Sequence, residues 1–243
     1  MINLYTLMQN KFKKENSMIL VSIEGNAGAG KTTFFKVLES KLKGKNINAA
    51  FIPEPVNKWL NIKDEKGENL LGNFYKNTPR WAYTIQTAAF FTKLDAIMQA
   101  AQTKVDFIIT ERSIYSDQKI FIPAIKIDNN ISDFEEEIYS LSKPLFQTVT
   151  QNLKIKNVIY LRCSPQTAMK RIASRGRPEE TVTPFAYIQS LHDKHEQWLM
   201  DSKNSFKVLT IDNELDFDTE KHETQFDEMI DQVIKFLNNL KQQ

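Results

Sequence analysis

Residues Gly25-Asn26-Ala27-Gly28-Ala29-Gly30-Lys31-Thr32 match the pattern G-x-x-x-x-G-K-[ST]. They lie between a short apolar run, Ile19 to Ile23, and a stretch with apolar residues at helical spacing, Thr33 to Leu42. Strand, loop and helix in that order are the context this motif needs. Its glycines let backbone N–H groups turn inward onto phosphate oxygens, and the helix behind them presents the positive end of its dipole. Lys31 can reach the terminal phosphates and Thr32 can offer its hydroxyl to Mg²⁺, with Thr33 completing the segment. The loop alone leaves the acceptor open, because switches, motors and small-molecule kinases share the same cradle.

Three more groups of residues have the types that phosphoryl transfer uses. Glu54, between Pro53 and Pro55, follows an apolar run and should stand where a carboxylate can take the proton of an attacking hydroxyl. Glu111 and Arg112 sit side by side after another apolar run. Arg112 can hold an acceptor oxygen or a phosphate, and Glu111 can orient Mg²⁺ through water. Arg171, Arg175 and Arg177 fall in one short segment hinged at Gly176, with Arg171 and Arg175 on one helix face. Such a cluster can close over phosphates, neutralise charge in the transition state and exclude water.

The elements that must position these groups alternate. Ala49 to Ile52 reads as a strand stopped by Pro53, and Asp64 to Gly72 as a polar loop. Arg80 to Ala101 reads as a long central helix. Val105 to Thr110, Asn157 to Leu161 and Phe206 to Ile211 have the continuous apolar character of strands covered on both faces. Later helices are expected at Asp133 to Gln151, Pro165 to Ser174, Thr183 to Leu199 and Glu223 to Leu240. The alternation implies an α/β fold, a mostly parallel sheet wrapped on both sides with ligands at the carboxyl ends of its strands.

Composition narrows the class further. Lys and Arg number 32 against 30 Asp and Glu, so nothing global calls for nucleic acid. No apolar run is long enough to suggest a membrane span. Cys163 is the one cysteine, which excludes an internal disulfide and fits a reducing, cytoplasmic setting. Residues 1–17 lack the pattern of a secretory or transit peptide and are expected to be a disordered or loosely docked extension before a single domain over 18–243. His192 and His195 share a helix face, but His-x-x-His-Glu is no zinc-protease signature and no protein-bound zinc is expected.

Taken together, the phosphate loop, Pro53-Glu54-Pro55-Val56 with Trp59, Glu111-Arg112-Ser113, Arg175-Gly176-Arg177-Pro178-Glu179-Glu180 and Leu191-His192 to Trp198 resemble the deoxynucleoside kinase family. The deoxycytidine and deoxyguanosine kinases and the mitochondrial thymidine kinases belong to it. The resemblance covers about Ile19 to Leu240. It implies a homodimer of P-loop kinase fold, with a doubly wound five-stranded parallel sheet flanked by helices and an arginine lid. It also implies transfer of phosphate from ATP, with Mg²⁺, to the 5′-hydroxyl of a deoxynucleoside. By position, Glu54 matches the base for that hydroxyl and Arg112 its partner. Gln86 matches the glutamine that reads the base edge, Phe121 the ring stacked on the base and Trp59 the pocket wall. Tyr75 and Glu180 match the pair holding the sugar 3′-hydroxyl, Arg171, Arg175 and Arg177 the lid, and Asp216 with Phe217 the loop around the donor base.

Asp117 resembles the aspartate of the deoxycytidine and deoxyguanosine kinases, where the thymidine-preferring branch carries a small residue. This favours purine deoxynucleosides or deoxycytidine over thymidine, with a slight lean to purines. In those relatives the aspartate pairs with an arginine; here the position is Lys93, whose ammonium lacks the planar fork, so a looser pair is expected. Phe74 and Ala89 can reshape the same pocket. Three alternatives are a thymidine-preferring kinase, a nucleoside monophosphate kinase of thymidylate kinase type, and a GTP switch. Ile52-Pro53 offers the acceptor phosphate of the second no cation, and Glu54 would repel that phosphate. For the third, Asp64-Glu65-Lys66-Gly67 fits D-x-x-G, but in a polar loop.

Overall fold

The computed structural model describes residues 18–127, 130–150, 154–214 and 222–242. The expected extension over 1–17, and Asp216 and Phe217, lie outside the described residues. Five strands form one sheet in the order β2-β3-β1-β4-β5, every pair parallel. They are β1 (Ile19–Glu24), β2 (Ala49–Ile52), β3 (Phe107–Glu111), β4 (Lys154–Arg162) and β5 (Lys207–Asp212).

Continuous apolar runs make the interior strands because both of their faces are covered. All residues of β1 and β3 are buried. Successive side chains point to opposite faces. Ile19, Val21 and Ile23 therefore pack with Phe34 and Leu38 of α1 (Lys31–Leu42) and with residues near the C-terminus such as Val233 and Leu237. Leu20 and Ile108 meet the opposite layer. That layer contains α2 (Val56–Asn61), α3 (Leu70–Lys76) and the long α4 (Thr78–Ala100). After β3 the chain forms α5 (Ile114–Ser116), a π-turn at Asp117–Phe121 and α6 (Ile122–Lys126). Next come α7 (Asp133–Ser140) and α8 (Ser142–Thr150). β4 leads into α9 (Pro165–Arg175), a 3₁₀ turn at Pro178–Glu180 and α10 (Phe185–Leu199), and α11 (Glu223–Lys241) ends the described fold.

Strand register decides where chemistry can occur. Ser22 lies level with Thr110, Ile23 with Glu111 and Glu24 with Tyr160, so the phosphate loop after β1 and the Glu111-Arg112-Ser113 segment leave the sheet together. β1 lies between β3 and β4, with connections leaving towards opposite sides, which opens a crevice at the strands' carboxyl ends.

Several boundaries differ from the sequence reading for local reasons. The helix expected over Asp133 to Gln151, whose last residue lies outside the described ones, is two helices rather than one, broken at Leu141. Pro144 has no N–H to donate to the carbonyl of Ser140, so a continuous helix would lose that bond. The polar loop ends early because Asn69 caps α3, its side chain accepting from Gly72 N at 2.7 Å. Asp64, the aspartate of D-x-x-G, is exposed, and its Oδ1 accepts from the backbone of Lys66 and Glu68 in its own loop. The α10 helix starts at Phe185 rather than Thr183, with Pro184 at its cap.

Candidate active site

A cavity of about 840 Å³ opens at the carboxyl edge of the sheet. Its phosphate end is built from the loop after β1. Gly28 has φ 76°, and a Cβ there would stand 2.3 Å from the carbonyl oxygen of Ala168 in α9; only glycine lets the loop turn and pack so closely. Ala27, Gly28, Gly30, Lys31, Thr32 and Thr33 line the cavity. Gly25, Asn26 and Ala29 support it from behind. Asn26 turns its side chain away and donates from Nδ2 to Ile188 O of α10 at 2.9 Å, while Ala29 is wholly buried.

Lys31 is buried, and its Nζ donates to Asn26 O at 2.8 Å. Burial, reinforced by the neighbouring Arg112 cation, pulls its pKa from 10.5 to about 7 against the opposing carboxylates of Glu54, Glu111 and Glu24. Thr32 Oγ1 donates to Glu111 Oε1 at 2.6 Å. This hydroxyl and carboxylate, both hard oxygen donors beside the phosphate cradle, suit Mg²⁺.

Arg112 joins three parts of the site. Its Nη1 donates to Gly25 O at 3.0 Å, its Nε pairs with Glu54 Oε1 at 3.2 Å, and its guanidinium lies 4.7 Å from the centre of the Phe121 ring. It is also the one non-glycine described with positive φ, at 63°. Burial pushes the Glu54 carboxyl upward, but Arg112 first, then Lys93, Lys31 and Arg177, hold it below its ordinary value. Glu54 is thus an ionised carboxylate facing the phosphate loop across the cavity, a group able to accept a proton there.

The other end of the cavity has walls from Trp59, Phe74, Ile85, Gln86, Ala89 and Phe121. Trp59 is fixed by Nε1 donating to Thr92 Oγ1 at 3.1 Å. Gln86 is buried with Oε1 unpartnered. Lys93 Nζ donates to Asp117 Oδ1 at 2.7 Å, with both side chains buried. The pair is close rather than slack; Lys93 reaches only Oδ1, and the other oxygen has no well-formed hydrogen bond, the buried Tyr139 phenol lying beside Asp117 and feeling its charge. Burial raises Asp117 from 3.8 to about 6 despite Lys93, and the Glu54 and Glu24 charges add to the rise. The π-turn supplies both Asp117 and Phe121, a local insertion of the kind often found at functional sites.

Tyr75 and Glu180 also line the cavity. Burial and the Glu180 charge push the Tyr75 phenol up to about 12. Glu180 pairs with Arg175 and, at 2.7 Å, with Arg177. Arg171 donates to Asn213 O at 2.9 Å from the same side. Val56, Leu71, Lys170, Ser174, Tyr187 and Leu191 line the cavity as well, and sequence reasoning did not single out their roles. Lys170 adjoins the arginine cluster and Leu191 falls in the quoted motif, so a signal existed; Tyr187 is placed only by the packing of α10. His195 is wholly buried, its Nδ1 2.6 Å from Leu191 O and its ring stacked on Tyr160. Among the described residues no group of ligands that could hold a metal through His, Cys, Asp and Glu is present. No described helix is long and apolar enough to cross a membrane.

The family model for deoxynucleoside kinase matches residues 21–238. The chain is 38% identical over 217 residues to a probable deoxycytidine kinase of fowlpox virus (strain NVSL), spanning 86% of each chain. It is 30% identical over 246 residues to the deoxycytidine kinase of Homo sapiens, covering 90% of this chain and 91% of that one. It is 28% identical over 251 residues to the mitochondrial deoxyguanosine kinase of Xenopus laevis, covering 93% and 92%. The chain belongs to the deoxynucleoside kinase family and is a kinase that transfers phosphate to a deoxynucleoside.

The lowered Lys31 pKa makes a prediction about phosphate binding. A polyphosphate beside Nζ favours the ammonium, so above the free value of about 7 binding must take up a proton. At pH 8.5 titration calorimetry in buffers of different ionisation enthalpy should report net proton uptake on binding of the magnesium triphosphate, with affinity falling as pH rises from 7 to 9. Binding without uptake and independent of pH over that range would contradict the assignment.

Proposed function

We propose that this deoxynucleoside kinase transfers the γ-phosphoryl group of ATP to the 5′-hydroxyl of a deoxynucleoside, with Mg²⁺, and takes deoxycytidine or a purine deoxynucleoside ahead of thymidine. The observation that carries this is the Glu54–Arg112 pair, Nε to Oε1 at 3.2 Å, held opposite the phosphate loop in one cavity. In this reading the loop's backbone N–H groups and Lys31 hold the triphosphate. Thr32 and Glu111 would hold Mg²⁺, which would neutralise charge on the phosphate oxygens. Glu54 takes the proton of the 5′-hydroxyl as its oxygen attacks the γ-phosphorus, the bond from that phosphorus to the bridging oxygen breaks and ADP leaves, and Arg112 keeps the carboxylate ionised and aimed. Tyr75 and Glu180 hold the 3′-hydroxyl. Arg171, Arg175 and Arg177 act as a lid on the phosphates.

Base preference follows from poorly satisfied acceptors. Trp59, Phe74 and Phe121 supply apolar faces for a base. Gln86 Oε1 is buried without a partner and Asp117 Oδ2 has only the neighbouring Tyr139 phenol, in poor hydrogen-bond geometry; leaving such acceptors poorly satisfied is costly. An exocyclic amine, as in cytosine or adenine, can donate to them. The Gln86 amide can rotate to suit other bases, but an ionised Asp117 can only accept, so it opposes the carbonyl that thymine presents there.

A homodimer is part of the same proposal. Phe134, Ile138 and Leu141 recur along one side of α7 and its end and are 84%, 53% and 69% exposed. Phe91 of α4 and Leu145 of α8 are exposed too, and these three helices pack together. An apolar face of this kind marks an interaction surface.

Three measurements test the reading. Glu54→Gln should lower kcat by roughly 10²- to 10⁴-fold, the usual contribution of a positioned base, while nucleoside affinity stays within a few-fold; unchanged turnover would remove Glu54 from the role. Protonating Asp117 turns its acceptor into a donor, so discrimination should be full above its value of about 6 and fade below it. The kcat/KM ratio of deoxycytidine to thymidine should fall roughly fourfold between pH 7.5 and 5.5 from the ionised fraction alone, and a constant ratio would contradict the acceptor argument. In sedimentation velocity the chain should run as a dimer and Phe134→Glu/Ile138→Glu as a monomer; a monomeric wild type would end that part of the proposal.

A further inference from the structure

The nucleoside end of the cavity has two sides that come from distant parts of the chain. α3 brings Phe74 and Tyr75, and the 3₁₀ turn Pro178–Glu180 brings Glu180. Asn69 touches both. Its Oδ1 accepts from Gly72 N at 2.7 Å and caps α3, while its Nδ2 donates to Glu179 Oε1 at 2.9 Å, a residue 110 positions away. Gly72 fits this joint. A Cβ there would crowd Asn69 Oδ1 at 3.3 Å and touch Glu179 Cγ at an ordinary 3.5 Å, so the missing side chain leaves the capping oxygen its room and the acid lies in contact range of the first turn of α3. Glycine inside a helix is otherwise destabilising.

We infer that Asn69 and Glu179 form a strap across the nucleoside cavity, and that Asn69 is a positioning residue setting the separation of Tyr75 from Glu180. The inference rests on the proposed role of those two residues in holding the sugar 3′-hydroxyl. Each flanks a member of the pair: Glu179 precedes Glu180, and Asn69 caps the short helix that carries Tyr75. A hydroxyl held between a phenol and a carboxylate needs both within hydrogen-bonding reach, and small displacements of positioning groups have large kinetic effects. Glu179 is held below its ordinary pKa chiefly by the Asn69 hydrogen bond, so the strap joins an amide to a carboxylate.

The amide's two ends allow capping and strapping to be separated. Asn69→Asp keeps an oxygen to accept from Gly72 N, since aspartate caps as well as asparagine, but it loses the donor and faces Glu179 with a like charge. Asn69→Asp combined with Glu179→Gln restores a bond with donor and acceptor exchanged, and Glu179→Gln alone keeps its acceptor for Asn69. The test compares a deoxynucleoside with its 2′,3′-dideoxy analogue in steady-state kinetics. Wild type should prefer the deoxynucleoside. Asn69→Asp should raise its KM roughly 3- to 10-fold, the size of one lost hydrogen bond, with kcat nearly unchanged and the KM of the dideoxy analogue unmoved. The double variant should recover the wild-type KM, and Glu179→Gln alone should stay near it.

If Asn69→Asp behaves as wild type, raises both KM values alike or is not rescued by Glu179→Gln, the strap is overturned while the 3′-hydroxyl reading stands. If wild type does not distinguish the two analogues, that reading falls and the strap with it.

Discussion

The site depends on one strained residue. Arg112 adopts φ 63°, a conformation that costs a side-chain-bearing residue about 1–2 kcal/mol. It is held there by its backbone N–H donating to Ile23 O at 3.0 Å and by its contacts with Gly25, Glu54 and Phe121. Strain of this kind persists where surrounding structure over-determines it. Each contact belongs to a different part of the cavity: the phosphate loop, the turn after β2, and the π-turn. Because β1 and β3 are paired in register, the two strand ends that carry the loop and Arg112 are level. The sheet thus sets the geometry, and Arg112 transmits it to Glu54.

Charge organises what the sheet brings together. Lys31, Lys93, Arg112 and Arg177 face Glu24, Glu54, Glu111, Asp117 and Glu180 within a small, poorly solvated volume. The same burial has opposite outcomes: Lys31 falls to about 7 and Asp117 rises to about 6, yet Glu54 stays below its ordinary value because cations surround it. Divergent shifts in one pocket separate groups that stay ionised from groups that can change state. Lys93 contributes to both Glu54 and Asp117, so the residue pairing with the aspartate proposed to read the nucleobase also helps keep the proposed general base ionised.

Much of this was legible in the sequence where local patterns decide the outcome. Fully buried strands read as unbroken apolar runs, and the phosphate loop was identifiable from its spacing and its strand and helix neighbours. Glu54 was placed by the prolines that end β2. What failed to show depends on contacts between distant segments. The π-turn at Asp117–Phe121 has no glycine or proline to announce it, Asn26 turns away because Ile188 O is within its reach, and Tyr187 reaches the cavity only through the docking of α10. The break at Leu141 had a local cause in Pro144, but the apolar spacing continues across it and masked the stop. Gln86 and Glu180, which would ordinarily be surface residues on polar grounds, were placed in the site by the family pattern, and both are buried in the cavity wall.

The proposed reaction is phosphoryl transfer to the 5′-oxygen of a nucleoside rather than to a nucleotide. It is tested most directly by incubating the chain with ATP, Mg²⁺ and, in turn, deoxycytidine, deoxyadenosine, deoxyguanosine, thymidine and thymidine monophosphate, and locating the new phosphate by phosphorus–proton coupling in NMR spectra. The nucleosides should give 5′-monophosphates, with thymidine behind the amino-bearing bases, and the monophosphate should give no product. Product from thymidine monophosphate alone, or phosphate carried on the 3′-oxygen, would contradict it.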